Sequence, residues 1–325
     1  MSRSPSLRVC NAVDVPTIHP QTGGPRVGPP PSRSKEINHE TVHECHLHLP
    51  RHRLNDITVA KDVGFEGIEL QSPKLWRYLD AGFSPESLLP HLEGIEVSGI
   101  GALQEAEPEA FRAEAEKLAH VGQVVGAPAM QMCTGPVDVT VVQDFRAGRL
   151  ADDDPRFRGL LGRPEAEVIE ETAKNVALAA DIAADHGLDL FLEPLGWAPV
   201  CHVNQALDIL ERINRPNAKI VVDFWHFWVT GSTPEEVAKL DKDLISAVHV
   251  CDGVPVPAGE VPDQNVSRNV WTGGGSIPLQ EWVDAVKATG YDGWYCSEIF
   301  HDHSAELDFH LVAQTLLNEM RILTA

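Results

Sequence analysis

The sequence predicts an α/β fold: a single (β/α)8 TIM barrel preceded by a disordered N-terminal tail. Three observations carry that expectation. Short apolar runs alternate with helical patterns eight times from residue 41 onward, no linker interrupts the body, and four of the runs end in a carboxylate or an imidazole. Strict alternation implies a parallel sheet, and eight strand–helix units is the number that closes.

Taken in order, residues 1–36 hold seven prolines, several Ser, Gly and Arg, and no apolar periodicity. They offer too little apolar surface to offset the entropy of ordering, and are set aside as a Pro/Gly-rich tail before a barrel spanning 37–325. Strands are expected at 42–49, 67–70, 95–100, 129–133, 189–193, 220–223, 245–250 and 293–298. Helices are expected at about 53–63, 84–92, 108–125, 164–186, 203–213, 233–241, 278–289 and 305–323. The stretches from Pro164 to Gly187 and from Pro278 to Gly290 carry the usual punctuation, a proline opening the helix and a glycine ending it. Two long segments at the presumed catalytic face, 134–163 and 252–275, read as covers over a site.

A formal charge of −22 and a pI near 5.0 argue against nucleic acid or an anionic membrane as a partner, because the long-range field repels phosphate. The six cysteines show no CxxC pair and no disulfide-rich spacing, so reduced thiols in a cytoplasmic protein are expected. No apolar run is long enough to span a membrane, and the N-terminus lacks a signal-peptide core.

The chemistry sits in Leu-Phe-Leu-Glu193, Ile-Val-Val-Asp223, Ala-Val-His249 and Tyr-Cys-Ser-Glu298. A barrel gathers its strand ends at one face, so these four side chains are expected to form one coordination shell. Three hard carboxylates and an imidazole suit one divalent ion, Mn²⁺ before Mg²⁺ or Co²⁺, better than a structural zinc. Trp197, Trp225, Trp228 and Trp271 lie just past strand ends, where an aromatic face can stack on a sugar and exclude water; Trp197 is the one assigned to substrate. The other reading of these tryptophans is loop packing or a subunit contact, which leaves a homo-oligomer open. His39, His43, His46, His48 and His52 look like a metal tract, but the flanking ones fall in loop or helix; only His46 and His48 alternate so as to face a barrel mouth.

Leu-Glu-Pro (192–194), Asp-Phe-Trp-His (223–226), Val-His-Val-Cys-Asp (248–252), Gly-Tyr-Asp-Gly (290–293) and Ser-Glu-Ile-Phe (297–300) occur in this order on these elements. Over about residues 42–324 the chain thereby resembles the xylose-isomerase-like superfamily of sugar phosphate isomerases, ketose epimerases, inosose and 3-dehydroshikimate dehydratases, and endonuclease IV. The resemblance implies that Glu193, Asp223, His249 and Glu298 are metal ligands and that Glu193 and Glu298 are also the acid–base pair. It further implies substrate contacts for His226 and Arg268, and a substrate or network role for Glu69 on the second strand. Thr272 stands where relatives carry a proline in the loop that begins at Arg268.

An ion chelated by a carbonyl and its neighbouring hydroxyl eases removal of the α-proton, and two carboxylates can remove and return it. Return to the opposite face gives an epimer, return to the next carbon an isomer, and loss of a β-hydroxyl a dehydrated product. The expectation is therefore an isomerase or epimerase of a keto-sugar or cyclitol, with a lyase of the inosose, 3-dehydroshikimate or keto-glycoside kind as the alternative. An endonuclease IV-like repair enzyme is remote, since no Asp-x-His occurs between 250 and 275 and His91 is the only histidine between 53 and 119.

Overall fold

The computed structural model describes residues 8–13 and 51–325. Eight parallel strands follow one another in a closed barrel: β1 (Arg8–Val13), β2 (Gly67–Gln71), β3 (Glu96–Gln104), β4 (Ala129–Cys133), β5 (Asp189–Glu193), β6 (Ala218–Asp223), β7 (Ile245–Val250) and β8 (Trp294–Ile299). Strands β4 and β8 are buried at every position, which is why they read as near-continuous apolar runs rather than alternating ones.

The first strand departs from expectation. Arg8–Val13, read from the sequence as part of the tail, pairs with β8 along its whole length and with β2, and so closes the barrel. The run Leu-Arg-Val-Cys-Asn-Ala-Val is short and isolated among prolines, so composition averaged over 36 residues hid it. The strand expected at 42–49, and with it His46 and His48, lies outside the described residues. Cys10 and Cys296 are register partners across β1 and β8, a proximity that sequence spacing cannot show. Cys296 is disulfide-bonded, against the expectation of six reduced thiols.

The barrel interior is a packed plug. Phe191 of β5 clusters with Ala129, Val221 and Ala247 from β4, β6 and β7, and a Cβ on Gly99 of β3 would stand 3.3 Å from the Phe191 ring. One large ring among small neighbours fills the space that four medium side chains otherwise would. Outside, the helices Pro108–Val125, Glu165–Asp185, Val203–Ile213, Leu279–Thr289 and Phe309–Leu323 bury their apolar faces on the strands. None of the described helices is long and apolar enough to cross a membrane.

Smaller differences have local causes. The last helix starts at Phe309 rather than 305 because the Asp308 carboxylate accepts the Leu311 N–H at 3.0 Å and fixes the first turn there. The expected helix at 233–241 is a single turn, Pro234–Val237, capped reciprocally by Thr233 and Glu236. Segment 134–163 contains the helix Val139–Arg146, and Arg149, Arg156 and Arg158 pair with acids of the segment itself. Arg156 pairs with Asp144 at 2.9 Å and Asp154 at 2.7 Å, and Arg163 with Glu167. Its base is held by Glu105, a buried carboxylate just past β3 that accepts the Gly135 N–H at 2.9 Å and the Asn175 amide at 2.7 Å. Burial pushes the Glu105 pKa up, against those two bonds.

A chain that starts at residue 14 lacks β1 and leaves the edges of β2 and β8 unpaired. It is expected to be insoluble or to lose cooperative unfolding. A thermal melt of that truncation matching the full chain would show that closure does not need Arg8–Val13.

Candidate metal centre

Strand register sets Asp223 of β6 opposite His249 of β7, whereas Glu193 of β5 follows the Leu192–Ile220 pair and Glu298 of β8 follows the Val250–Ser297 pair, so the four ligands come from staggered strand ends that meet at one face. Glu193, Asp223, His249 and Glu298 are all buried. His249 Nδ1 is 3.1 Å from Glu193 Oε1 and 3.9 Å from both Asp223 Oδ2 and Glu298 Oε2. The three carboxylates therefore converge on one nitrogen of the His249 imidazole.

Three carboxylates this close, with little water to screen them, repel one another. The Asp223 pKa is raised to about 7 by burial and by the charges of Glu298 and Glu193, against the pull of Arg268 and His249. Burial pushes His249 down, but Glu69, Glu193 and Glu298 outweigh it and hold its pKa well above the usual value. Burial also works to raise Glu298, and the Arg268 guanidinium together with His249 and a hydrogen bond to Asp223 more than reverses that. Such a set is balanced by positive charge at its centre, and the donors fit a divalent cation.

The surrounding residues hold the ligands by hydrogen bonds. Glu69 Oε2 lies 3.3 Å from His249 Nε2, and its other oxygen accepts from Gln71 at 3.2 Å. Of the substrate and network roles expected for Glu69, the contact with His249 is a network one. Were a metal ion bound, an Nε2–H bond to Glu69 would leave the Nδ1 lone pair for that ion. Glu193 Oε2 accepts from Gln131 Nε2 at 2.8 Å and Cys133 Sγ at 3.2 Å. Gln131 reaches it through space that a Cβ on Gly101 would fill.

Asp223 ends β6 and also caps the helix Phe224–Val229, its Oδ1 accepting the His226 N–H at 2.7 Å. The buried His226 ring follows, its Nδ1 accepting the Gly196 N–H at 2.9 Å. Burial, with the charges of Arg268 and His249, holds His226 well below its usual pKa. A neutral ring whose Nδ1 accepts carries its proton on Nε2, which makes that atom a donor. Trp197 stands edge-on to His226 with ring centroids 5.4 Å apart and gives its own N–H to Pro136 O at 3.0 Å. It thus buttresses His226 and ties segment 134–163 to β5.

Arg268 is buried against Glu298, with Nη2 3.5 Å from Asp223 Oδ2. Its guanidinium lies 4.0 Å from the Phe300 ring centre and 5.2 Å from that of Trp225. The loop carrying it is closed at its neck by Asp252, whose carboxylate accepts N–H groups from Gly253, Gly273, Gly275 and Ile277 at 2.7 to 3.1 Å. Sequence reasoning missed Gln131, Cys133, Asp252 and Phe300. Gln131 was the findable one, a polar residue inside the otherwise apolar Ala-Met-Gln-Met-Cys.

The chain belongs to the xylose isomerase-like TIM barrel family, whose model matches residues 57–319. It is 30% identical over 159 residues to the inosose isomerase of Bacillus subtilis strain 168, covering 46% of this chain and 56% of that protein. It is 28% identical over 131 residues to the 3-dehydroshikimate dehydratase of Pseudomonas aeruginosa PAO1, covering 40% of this chain and 20% of that one. The chain spans about half the length of the inosose isomerases it matches. The crystal structure of the IolI protein with a bound zinc atom superposes with a TM-score of 0.70 at 21% identity, covering 83% of this chain and 92% of that one, a likeness of fold.

Two substitutions test the centre. Asp223→Ala is expected to purify without the divalent ion found in the wild type by elemental analysis, and Glu69→Gln to bind it about 10–100-fold more weakly. Equal metal content and affinity in all three proteins would dismiss this cluster as the binding site. Asp252→Ala leaves four N–H groups of the Arg268 loop without their acceptor and costs stability by about 1–3 kcal/mol or more. Hydrogen exchange should quicken across 252–277 in that variant; unchanged protection there would rule out the carboxylate as the loop's fastening.

Proposed function

We propose that this protein is a divalent-metal-dependent isomerase or epimerase that moves a proton next to the carbonyl of a keto-sugar or cyclitol. The observation that carries this reading is the placement of two buried glutamates, Glu193 on β5 and Glu298 on β8, on either side of Asp223 and His249. Mn²⁺ is the first choice for the ion on the hardness of the three carboxylates, and the zinc in the IolI crystal structure supports a divalent ion more generally. When bound, that ion polarises the substrate carbonyl and so lowers the cost of losing the α-proton.

The chain's own residues do the rest. Glu193 is held in place through Oε2 by Gln131 and Cys133, and Glu298 by Arg268, so each carboxylate has a fixed approach to the substrate. One removes the α-proton and the other returns one. His226 Nε2–H is a donor for a substrate oxygen, and Trp225, Trp197 and Phe300 supply dry apolar walls. Arg268 is already matched by Glu298 and Asp223, which favours a neutral polyol over a phosphorylated or carboxylated substrate. The dehydratase relative supports a second reading, in which the same first proton loss is followed by departure of a β-hydroxyl. DNA as a partner is disfavoured by the charge of −22 and by the single imidazole in the ligand groups found among the described residues.

Incubating the metal-replete protein with keto-sugars and cyclitols in D₂O should wash deuterium into a carbon next to the carbonyl. Glu193→Gln and Glu298→Gln keep a neutral oxygen but lose the base, and are each expected to slow turnover by about 10²–10⁴-fold. One of the two should still exchange the α-proton while failing to complete the reaction. Near-normal turnover in both variants, with metal retained, would defeat the two-carboxylate mechanism.

A further inference from the structure

Of the three sets of ligand-grade atoms among the described residues, one is Glu69, His249 and Cys296, and the other two share Asp223. Of that pair, one is Glu193, Asp223 and His249; the other is Asp223, Cys251 and Glu298, each with its donor atoms within 4.8 Å of one another. The latter set contains a sulfur. Cys251 lies two residues beyond His249, so it follows the strand's alternation onto the same side, and it is buried to 1% exposure. Its Sγ is 3.4 Å from both oxygens of Asp223. Sulfur and oxygen ligands bound at about 2.3 Å and 2.0–2.2 Å to one tetrahedral ion stand about 3.5 Å apart, so the pair is spaced for joint ligation without rearrangement. The Trp225 backbone N–H donates to the sulfur at 3.3 Å, a bond that a thiolate ligand accepts.

We propose that Cys251 is a sulfur ligand of this centre: a thiophilic divalent ion of the zinc, cobalt or cadmium kind is held by Asp223, Glu298 and Cys251. This rests on the metal-binding reading above and adds to it a second, softer mode of coordination. Ligation replaces the thiol proton, which leaves to solvent, so no oxidant or reductant enters. The ion competes with the Arg268 guanidinium, which lies against the same two carboxylates. Cys201, a free half-buried thiol that belongs to none of the ligand groups, is the control.

The test is the absorption spectrum of the full-length protein loaded with Co²⁺. Visible d–d bands report cobalt in the site, and a near-ultraviolet sulfur-to-cobalt charge-transfer band reports a thiolate ligand. The wild type and Cys201→Ala should show both. Cys251→Ala, and the closer-sized Cys251→Ser should the alanine variant fold poorly, should keep the d–d bands and lose the charge-transfer band. In competition, the preference for Cd²⁺ over Mn²⁺ should fall on the order of tenfold or more in the Cys251 variants. Cobalt bound with d–d bands but no sulfur band in the wild type overturns the proposal and leaves the metal reading standing. A sulfur band that survives Cys251→Ala, or an unchanged Cd²⁺-to-Mn²⁺ ratio, overturns it equally. No cobalt uptake by the wild type overturns both.

Discussion

Repulsion among three buried carboxylates at one end of the barrel is the constraint on which the other features of the site depend. Two unit charges about 4 Å apart interact by about 4 kcal/mol even at the high effective dielectric of a protein site. Glu193, Asp223 and Glu298 all approach His249 Nδ1 within 3.9 Å, so the cluster is sustained only by compensating charge and donors. Arg268 supplies one cation and an imidazole held by Glu69 another. The raised Asp223 pKa and the lowered Glu298 pKa express how unevenly that compensation is shared: Arg268 meets Glu298 directly and Asp223 only at 3.5 Å.

That electrostatic demand explains why so many neighbouring groups are fixed. Gln131 and Cys133 spend donors on Glu193, and the His226 backbone N–H spends one on Asp223. Asp252 gathers four backbone N–H groups so that the loop bearing Arg268 folds inward, and Phe300 covers the guanidinium. Each contact either stabilises a carboxylate where it stands or delivers the cation that balances it. Glu69 belongs to this supporting layer, because a carboxylate on the far nitrogen of an imidazole sets which nitrogen is free.

The barrel makes the cluster affordable. Strand order follows chain order, and register aligns Cys133 with Glu193 and Asp223 with His249, so polar ends rise together above the Phe191 plug. The tail's strand, Arg8–Val13, is the piece that turns a seven-stranded sheet with two open edges into a closed ring, and it is also the piece furthest in sequence from its neighbours.

The sequence by itself determined the fold class and the four central side chains. Parallel strands buried on both faces are legible as apolar runs, and Glu193, Asp223, His249 and Glu298 stand out because they end or nearly end such runs. It also marked Arg268, His226 and Trp197 as near the site. Tertiary structure decided what those residues touch. Glu69, read as a substrate or network residue, has its carboxylate against His249; Trp197 gives its N–H to Pro136; and Arg156 pairs with Asp144 and Asp154 of its own loop. It also found β1 in a stretch whose composition reads as tail. The physical reason is common to these cases: periodicity and burial are local properties of the chain, whereas register, hydrogen-bond partners and charge compensation arise between segments as far apart as Glu69 and His249, and exist only once the barrel has closed.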